Sequence, residues 1–98
     1  MKNLTQIMKI LQKYKNVLNK RYHAKEIGIF GSYIKDEQNK KRSDLDILVE
    51  FDDGITLIKF IEMENYLTDL LGIKVDLVMK SALKPRIGKQ ILKEVIYI

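Results

Sequence analysis

The stretch that decides the fold runs from residue 27 to residue 51. It reads Ile27-Gly28-Ile29-Phe30-Gly31-Ser32, then a charged segment, then Ser43-Asp44-Leu45-Asp46-Ile47-Leu48-Val49-Glu50-Phe51. Side chains alternate between the two faces of a β-strand. A strand over 44–51 therefore places Asp44 and Asp46 on one face and its aliphatic residues on the other. The stretch predicts two strands, the first ending in a Gly-Ser turn and the second opening with paired carboxylates.

The paired aspartates and the Gly-Ser turn together predict a site for a metal ion and a phosphate. Two carboxylates on one face repel each other unless a cation lies between them. Mg²⁺ and Ca²⁺ are the hard ions that such all-oxygen sites bind. Gly31-Ser32, between a strand and a helix, offers backbone N–H groups and a hydroxyl that suit a phosphate.

Length and composition predict a single domain over residues 1–98. No apolar run approaches the roughly 20 residues that a membrane span needs. The N-terminus has no apolar signal-peptide core, so we expect a cytoplasmic protein with no membrane contact. The absence of cysteine excludes disulfides and cysteine-bound zinc, and a lone histidine, His23, excludes a multi-histidine metal site within one chain.

The positive charge is concentrated in the first half of the chain. Residues 1–42 hold eleven lysines and arginines against three acidic residues, whereas residues 43–98 hold seven against ten. A basic half attracts an acidic partner or a polyanion. A solvated helix surface explains the same charges equally well, so this feature does not choose a partner.

Hydrophobic periodicity predicts the order helix–strand–helix–strand–helix–strand–helix. The predicted helices cover 3–20, 33–37, 55–71 and 86–94, and the predicted strands cover 26–30, 45–51 and 73–79. Residues 21–25 read as a polar connection with His23 exposed, and Val95–Ile98 reads as either a fourth strand or a contact with a partner. This order predicts an α/β (α+β) fold, a small mixed β-sheet covered by helices.

Two further expectations concern the helices. Asn3 and Gln6 are placed to cap the first helix, and Gly72 to end the third. In the helix over 55–71 the apolar residues are expected to form one stripe facing the core. These residues are Leu57, Ile58, Ile61, Leu67, Leu70 and Leu71.

A third aspartate, Asp76, lies inside the strand over 73–79, where alternation places it opposite the aliphatic residues. A carboxylate in such a strand requires a reason. Each signal alone has an ordinary explanation: a turn for Gly31-Ser32, surface polarity for Asp44 and Asp46, and an ion pair with a nearby lysine for Asp76. Together, three carboxylates on neighbouring strands without evident partners are costly to hold close, and this favours a functional site.

These residues resemble the nucleotidyltransferases of the DNA polymerase β superfamily, and in particular their smallest branch, the minimal nucleotidyltransferase (MNT) domain. The resemblance rests on Gly31-Ser32, Asp44-x-Asp46 and Val75-Asp76-Leu77-Val78, and it covers nearly the whole chain. Eleven residues separate Ser32 from Asp44, where the family more often has ten. Asp36 stands where the family often has glycine, and both departures fall in a loop.

The resemblance implies a palm-like nucleotidyltransferase core with two Mg²⁺ ions and ATP as the substrate. Asp44 and Asp46 would bind both metals, and Asp76 would complete the metal that activates the acceptor hydroxyl. Asp44, Asp46 and Asp76 are thus the expected catalytic and metal-binding residues.

For the nucleotide, the resemblance implies that Gly31 and Ser32 hold the β- and γ-phosphates. Lys35 and Arg42 are further candidate phosphate contacts in the loop that follows.

The family also implies a partner. MNT proteins pair with HEPN-domain ribonuclease toxins, and the MNT antitoxin transfers AMP from ATP to a tyrosine of the toxin. One alternative is a non-catalytic antitoxin that acts by binding; another is a nucleotidyltransferase acting on a small molecule or an RNA 3′ end. Nucleic acid is the less favoured partner. The apolar face of the first helix and the tail 95–98 suit a homodimer or a toxin interface equally well.

Overall fold

The computed structural model describes residues 2–35, 44–52 and 54–98. Its first helix, α1, spans Leu4–Tyr22. The Asn3 side chain accepts a hydrogen bond from the Gln6 backbone N–H, and the Gln6 side chain accepts one from Asn3, both at 2.9 Å. The predicted cap is therefore confirmed. The helix ends at His23, which adopts a left-handed conformation with φ of 61° and is exposed as expected.

The connection after α1 is shorter than predicted. The helix runs on to Tyr22, and the first strand, β1, already begins at Ala24 and ends at Phe30. Tyr22 and Ala24 are both buried, so only His23 remains of the polar connection expected over 21–25. The physical reason is that the ring of Tyr22 completes the apolar face of the helix. The prediction of a polar connection gave more weight to the neighbouring lysines and arginines than to this ring.

The remaining elements follow the predicted order. After β1 come a short helix α2, Ser32–Lys35, and strand β2, Leu45–Phe51, whose predicted bounds are confirmed. Helix α3 spans Leu57–Leu71, strand β3 Val75–Met79, helix α4 Pro85–Glu94 and strand β4 Ile96–Tyr97. α4 begins at Pro85, one residue before the predicted start, and β3 begins two residues later than predicted.

The four strands form one mixed sheet in the order β3-β2-β1-β4. β2 pairs with β3 in parallel, whereas β1 pairs with β2 and β4 in antiparallel fashion. The predicted small mixed sheet is confirmed, and the tail of the chain provides its fourth strand. No helix in the described part of the chain combines the length and the apolar character that crossing a membrane requires.

The main core lies between one face of the sheet and the two long helices. Ile29, Ile47 and Leu77 stand next to one another across the three longer strands and are all buried. The side chains that α1 and α3 contribute to the same cluster are Ile7, Leu11, Leu18, Tyr22, Met63, Leu67 and Leu71. Burial of each large apolar side chain stabilises the fold by about 1.5–3 kcal/mol. The aspartates lie on the other face of the sheet.

One expectation about α3 is wrong. Leu57, Ile58 and Ile61 are exposed, with 72%, 78% and 45% of their surface accessible. Leu67 and Leu71 are buried as predicted, and together with Met63 they form the buried line of α3. At about 100° per residue, Ile58 and Ile61 lie on roughly the opposite side of the helix from that line, so the apolar residues of α3 form two stripes rather than one.

Gly28 allows β4 to reach the sheet. A Cβ atom at this position would lie 2.5 Å from Cγ2 of Val95 and 3.2 Å from the carbonyl oxygen of Ile96. Gly28 pairs with Tyr97 in the register of β1 with β4. The missing side chain thus leaves space that the C-terminal segment fills.

We expect Gly28→Ala to lower the free energy of unfolding by about 1–3 kcal/mol, because the added methyl group overpacks the contact with Val95. Gly54→Ala is the matched control, since a Cβ there meets nothing within 4 Å. Urea unfolding of both variants measures the difference. Equal stability of the two variants would contradict the close approach of β4 at Gly28.

Candidate active site

The sheet register brings two of the three predicted aspartates side by side. Asp46 of β2 is paired with Asp76 of β3, and on its other side it faces Phe30 of β1. Residues directly opposite one another on neighbouring strands point to the same face. Phe30, Asp46 and Asp76 therefore form one row across the sheet, here called the aspartate row, on the face opposite the main core.

Asp44 lies at the entrance to β2, two residues before Asp46. The backbone next to it is held by a hydrogen bond of 2.9 Å from the N–H of Leu45 to the carbonyl oxygen of Lys74. The Lys74 ammonium group lies 3.8 Å from the Asp44 carboxylate, but the side chain of Lys74 is mostly exposed. Such a solvated ion pair contributes little, so Lys74 is a weak counter-charge for three carboxylates.

Gly31 packs directly against Asp46. It has φ of 82°, a conformation that side chains rarely adopt, and a Cβ atom built on it would overlap the Asp46 carboxylate. Its carbonyl oxygen accepts a hydrogen bond of 3.1 Å from the N–H of Ile34, which closes the turn into α2. Glycine is therefore favoured here on two grounds, and the turn at Gly31 lies against Asp46.

The surroundings of Asp46 disfavour the negatively charged form of its side chain. The pKa of Asp46 is raised from 3.8 to about 6, first by burial and then by the charges of Asp76 and Asp44. At neutral pH the three carboxylates thus repel one another around a half-buried Asp46. An ion with at least two positive charges at this point would remove that repulsion.

The donor chemistry fits a hard divalent cation. Asp44, Asp46 and Asp76 offer oxygen ligands alone, the set that Mg²⁺ prefers. In the described residues, no three histidine, cysteine, aspartate or glutamate side chains are already gathered closely enough to hold an ion. The backbone thus brings the three aspartates to one end of the sheet, but their carboxylates do not converge on a single point.

The structure describes only part of the predicted phosphate-binding site. The backbone places Gly31 and Ser32 at the turn beside Asp46, where α2 begins. The side chains of Ser32 and Lys35 lie outside the described part of the structure, as does the whole of Arg42. Their contacts with phosphate stay predictions.

Two residues of α3 that the sequence did not single out hold the strand of Asp76. Glu64 accepts a hydrogen bond of 2.8 Å from the N–H of Leu77, and Thr68 accepts one of 3.0 Å from the N–H of Val75. These two N–H groups flank Asp76 on an edge strand, where the sheet itself offers them no acceptor. Glu64 and Thr68 are therefore positioning residues. The sequence signal was a polar pair four residues apart on the side of α3 next to its apolar line.

Tyr33 anchors the turn from the other side. Its ring is fully buried, and its hydroxyl donates a hydrogen bond of 2.5 Å to the carbonyl oxygen of Lys2. The turn at Gly31-Ser32 is thus tied to the beginning of the chain. The signal for this role was an aromatic residue directly after Gly-Ser in a largely polar segment.

Comparison with known proteins agrees with this geometry. The sequence profile of the nucleotidyltransferase domain matches residues 11–98. The protein adenylyltransferase MntA of Thermococcus cleftensis is 51% identical over 98 residues, which cover 100% of this chain and 98% of that protein. A candidate protein adenylyltransferase of Methanocaldococcus jannaschii is 52% identical over 99 residues and is matched over the full length of both chains.

Solved structures with the same fold include a candidate minimal nucleotidyltransferase, with a TM-score of 0.81 and 32% identity over 97% of this chain and 95% of that one. A crystal structure of a toxin–antitoxin with AMP-PNP contains a similar chain, with a TM-score of 0.71 and 26% identity. The match covers 88% of this chain and 69% of that one.

Without metal, we expect Asp46→Asn to stabilise the protein at pH 8 and to lose this advantage as the pH falls to about 4. Because the folded-state pKa of Asp46 lies above the unfolded value, ionisation between pH 4 and 8 destabilises the native state more than the unfolded chain. Thermal unfolding in EDTA across this pH range measures the effect. The exposed Asp69 of α3 provides the control Asp69→Asn, and a variant of Asp46 that melts lower than wild type at pH 8 would contradict the repulsion.

Gly31→Ala and Gly72→Ala form a second matched pair. Both glycines have positive φ, so each substitution costs roughly 1 kcal/mol of backbone strain. At Gly72 only the Lys2 ammonium lies nearby, at 3.7 Å, whereas at Gly31 the new methyl group displaces the Asp46 carboxylate. We expect both variants to melt lower, and only Gly31→Ala to weaken binding of a fluorescent ATP analogue by tenfold or more. Equal binding of the ATP analogue by both variants would contradict a role for the turn at Gly31 in nucleotide binding.

Proposed function

The chain belongs to the nucleotidyltransferase domain family, and from that premise we propose that it transfers AMP from ATP to a tyrosine hydroxyl of a HEPN-class toxin and so acts as the antitoxin. The observation that carries the proposal is the meeting of Gly31, Asp46 and Asp76 at one end of the sheet. A phosphate-binding turn and a carboxylate set are the two parts that nucleotidyl transfer requires. Since ATP is an intracellular nucleotide, the proposal also assigns the chain to the cytoplasm.

The proposed metal ligands are Asp44, Asp46 and Asp76, which would hold two Mg²⁺ ions. When bound, these ions supply charge neutralisation along the triphosphate and lower the pKa of the attacking hydroxyl. The raised pKa of Asp46 supports this assignment, because burial and the neighbouring charges of Asp76 and Asp44 both disfavour the carboxylate, and a bound cation would offset both effects. The protein contributes mainly position and charge.

The chemistry of the transfer balances with the groups that the chain offers. The tyrosine oxygen forms a bond to the α-phosphorus, and the bond from that phosphorus to the oxygen bridging to the β-phosphate breaks. Pyrophosphate leaves with the electron pair, and the hydroxyl proton passes to the carboxylate of Asp76. The turn at Gly31-Ser32 holds the β- and γ-phosphates by its backbone, with Ser32, Lys35 and Arg42 as proposed further contacts.

The relatives support the choice of acceptor. One is named a protein adenylyltransferase, which specifies AMP transfer to a protein, and this chain matches 98% of its length. Another similar chain occurs in a toxin–antitoxin with AMP-PNP, a non-hydrolysable relative of ATP. We propose by analogy that this chain, a single domain over residues 1–98, finds its acceptor on a separate partner protein.

Two other functions can be distinguished from AMP transfer to a toxin. An antitoxin that acts by binding alone would not need three carboxylates held at a cost in electrostatic energy, and this is the observation against it. A nucleotidyltransferase acting on a small molecule or on RNA 3′ ends would label those acceptors. Incubation with α-³²P-ATP, Mg²⁺, the toxin and total RNA separates these activities by the species that carries the label.

We expect Asp44→Asn and Asp46→Asn each to reduce AMP transfer to the toxin by at least about 100-fold, because each removes a metal ligand worth several kcal/mol in the transition state. Asp69→Asn, on the exposed side of α3, is the control and should keep wild-type activity. Mg²⁺ should raise the melting temperature of wild type but not of Asp46→Asn. Full neutralisation of the toxin by both site variants, without transfer, would instead establish the binding mechanism.

A further inference from the structure

Helix α4 crosses the face of the sheet that carries the aspartates. Strands β3 and β4 lie at opposite edges and run in the same direction, so the chain between them has to pass over one face. Helices α1 and α3 occupy the core face. Val95, which directly follows α4, lies on the other face, because its Cγ2 atom is 2.5 Å from the point that a Cβ atom of Gly28 would occupy. Gly28 shares the face of Phe30, two residues further along β1.

The C-terminal end of α4 lies close to the aspartate row. Ile96 pairs with Ile29, the residue directly before Phe30 of that row, and α4 ends two residues before Ile96. Leu48, two residues after Asp46 and on the same face, is buried, so the sheet surface next to the row is covered. A helix with its side chains is about 10–12 Å across, and α4 therefore rises above the sheet beside the aspartates.

The exposed surface of α4 is basic. Residues 84–93 contain four basic residues and no acidic one, although the second half of the chain as a whole has an acidic balance. The four are all exposed, and they are Lys84, Arg86, Lys89 and Lys93. Within the part of the chain that the structure describes, none of them forms an ion pair. Their positive charge is therefore available to a partner.

Two exposed aliphatic side chains interrupt this basic surface. Ile87 and Leu92 have 58% and 44% of their surface exposed, and Gly88 is the one buried residue of α4. Burial of such side chains against a partner protein is favourable. Helix α4 contains no aromatic residue, the type on which the bases of single-stranded nucleic acid stack. The combination of basic and aliphatic side chains favours a protein with acidic and apolar surface residues over RNA.

The proposed reaction brings such a protein to α4. A tyrosine hydroxyl has to reach the aspartates at the surface of the sheet, and a tyrosine side chain is shorter than the height of α4 above that surface. A folded acceptor is also wider than the aspartate row, so the surface around its tyrosine meets α4. We propose that the last two turns of α4 form the docking surface for the acceptor protein, the HEPN-class toxin. Lys89 and Lys93 face acidic residues of the toxin, and Leu92 packs against an apolar one. This inference rests on the proposed AMP transfer.

Steady-state AMP transfer from α-³²P-ATP to the toxin tests the docking surface. We expect Lys89→Glu with Lys93→Glu to raise the KM for the toxin by at least about tenfold, since charge reversal turns attraction into repulsion, and to leave the KM for ATP unchanged. The matched control is Lys9→Glu with Lys13→Glu, an equal charge change on the exposed side of α1, across the sheet from the aspartates. An unchanged KM for the toxin in the α4 variant, or an equal rise in the control, overturns the proposal.

Two uncharged variants test the apolar and the ionic contacts separately. Leu92→Ser should raise the KM for the toxin by about threefold or more, because it removes apolar surface that the toxin buries. Lys89→Gln with Lys93→Gln should reduce the salt dependence of that KM, because oppositely charged contacts weaken with ionic strength. These variants also decide the question if the charge-reversed variant does not fold by circular dichroism. Toxin kinetics equal to those of wild type in both contradict docking at α4.

Toxin affinity without ATP separates this inference from the proposed function. If wild type binds the toxin in isothermal titration calorimetry but transfers no AMP, the proposed function fails, and weaker binding by the charge-reversed α4 variant than by the α1 control still supports docking at α4. If wild type transfers AMP and the α4 variant binds and reacts like wild type, the function stands and the docking surface is overturned. Wild type that neither binds nor modifies the toxin overturns both. Transfer of the label to RNA, reduced only in the α4 variant, assigns the surface to nucleic acid and overturns the proposal.

Discussion

The contact between Gly31 and the carboxylate of Asp46 is the constraint on which the site depends. It joins the end of β1, the turn into α2 and the beginning of β2 at one point, although residues 36–43 of the intervening segment lie outside the described structure. The approach is so close that any side chain at Gly31 would have to displace the Asp46 carboxylate. Because the turn lies against Asp46, any phosphate held by its backbone N–H groups is brought next to the carboxylates. One local contact thus sets the relation between the two halves of the chemistry.

That contact persists in spite of repulsion among the aspartates, and the main core explains why. Leu45 and Ile47 flank Asp46 along β2 and point to the other face of the sheet, where both are fully buried. Their burial holds the strand by several kcal/mol, and Asp46 must follow. Glu64 and Thr68 do the same for β3 by accepting the two N–H groups beside Asp76. The free energy gained by burying the hydrophobic face of the sheet therefore offsets the electrostatic repulsion on the face that carries the aspartates.

The carboxylates and the exposed aliphatic residues of α3 lie on different parts of the molecule. The end with Asp44, Asp46 and Asp76 concentrates negative charge and suits a nucleotide with its metal ions. The first turn of α3, on the other side of the sheet, carries instead the exposed aliphatic residues Leu57 and Ile58.

Much of the fold follows from local patterns in the sequence. The bounds of β2, the cap of α1 by Asn3 and Gln6, the stop of α3 at Gly72 and the alternation around Asp76 all depend on neighbours within a few residues. Chemistry that is local in the chain can be recognised in the chain. The aspartates and the Gly-Ser turn could therefore be identified, with their faces, before any tertiary contact was known.

Relations between distant segments could not be obtained in this way. Hydrophobic periodicity does not specify which of two apolar stripes a helix buries, and for that reason Ile58 and Ile61 were assigned to the core although they face solvent. It also leaves open whether β3 lies parallel or antiparallel to β2, on which the pairing of Asp46 with Asp76 depends. The sequence by itself determined the residue types of the opening stretch, Phe30-Gly31-Ser32 and Asp44-Leu45-Asp46, and the faces on which they stand. Only the tertiary structure decided that they meet, because the register between strands is set by packing across the whole sheet.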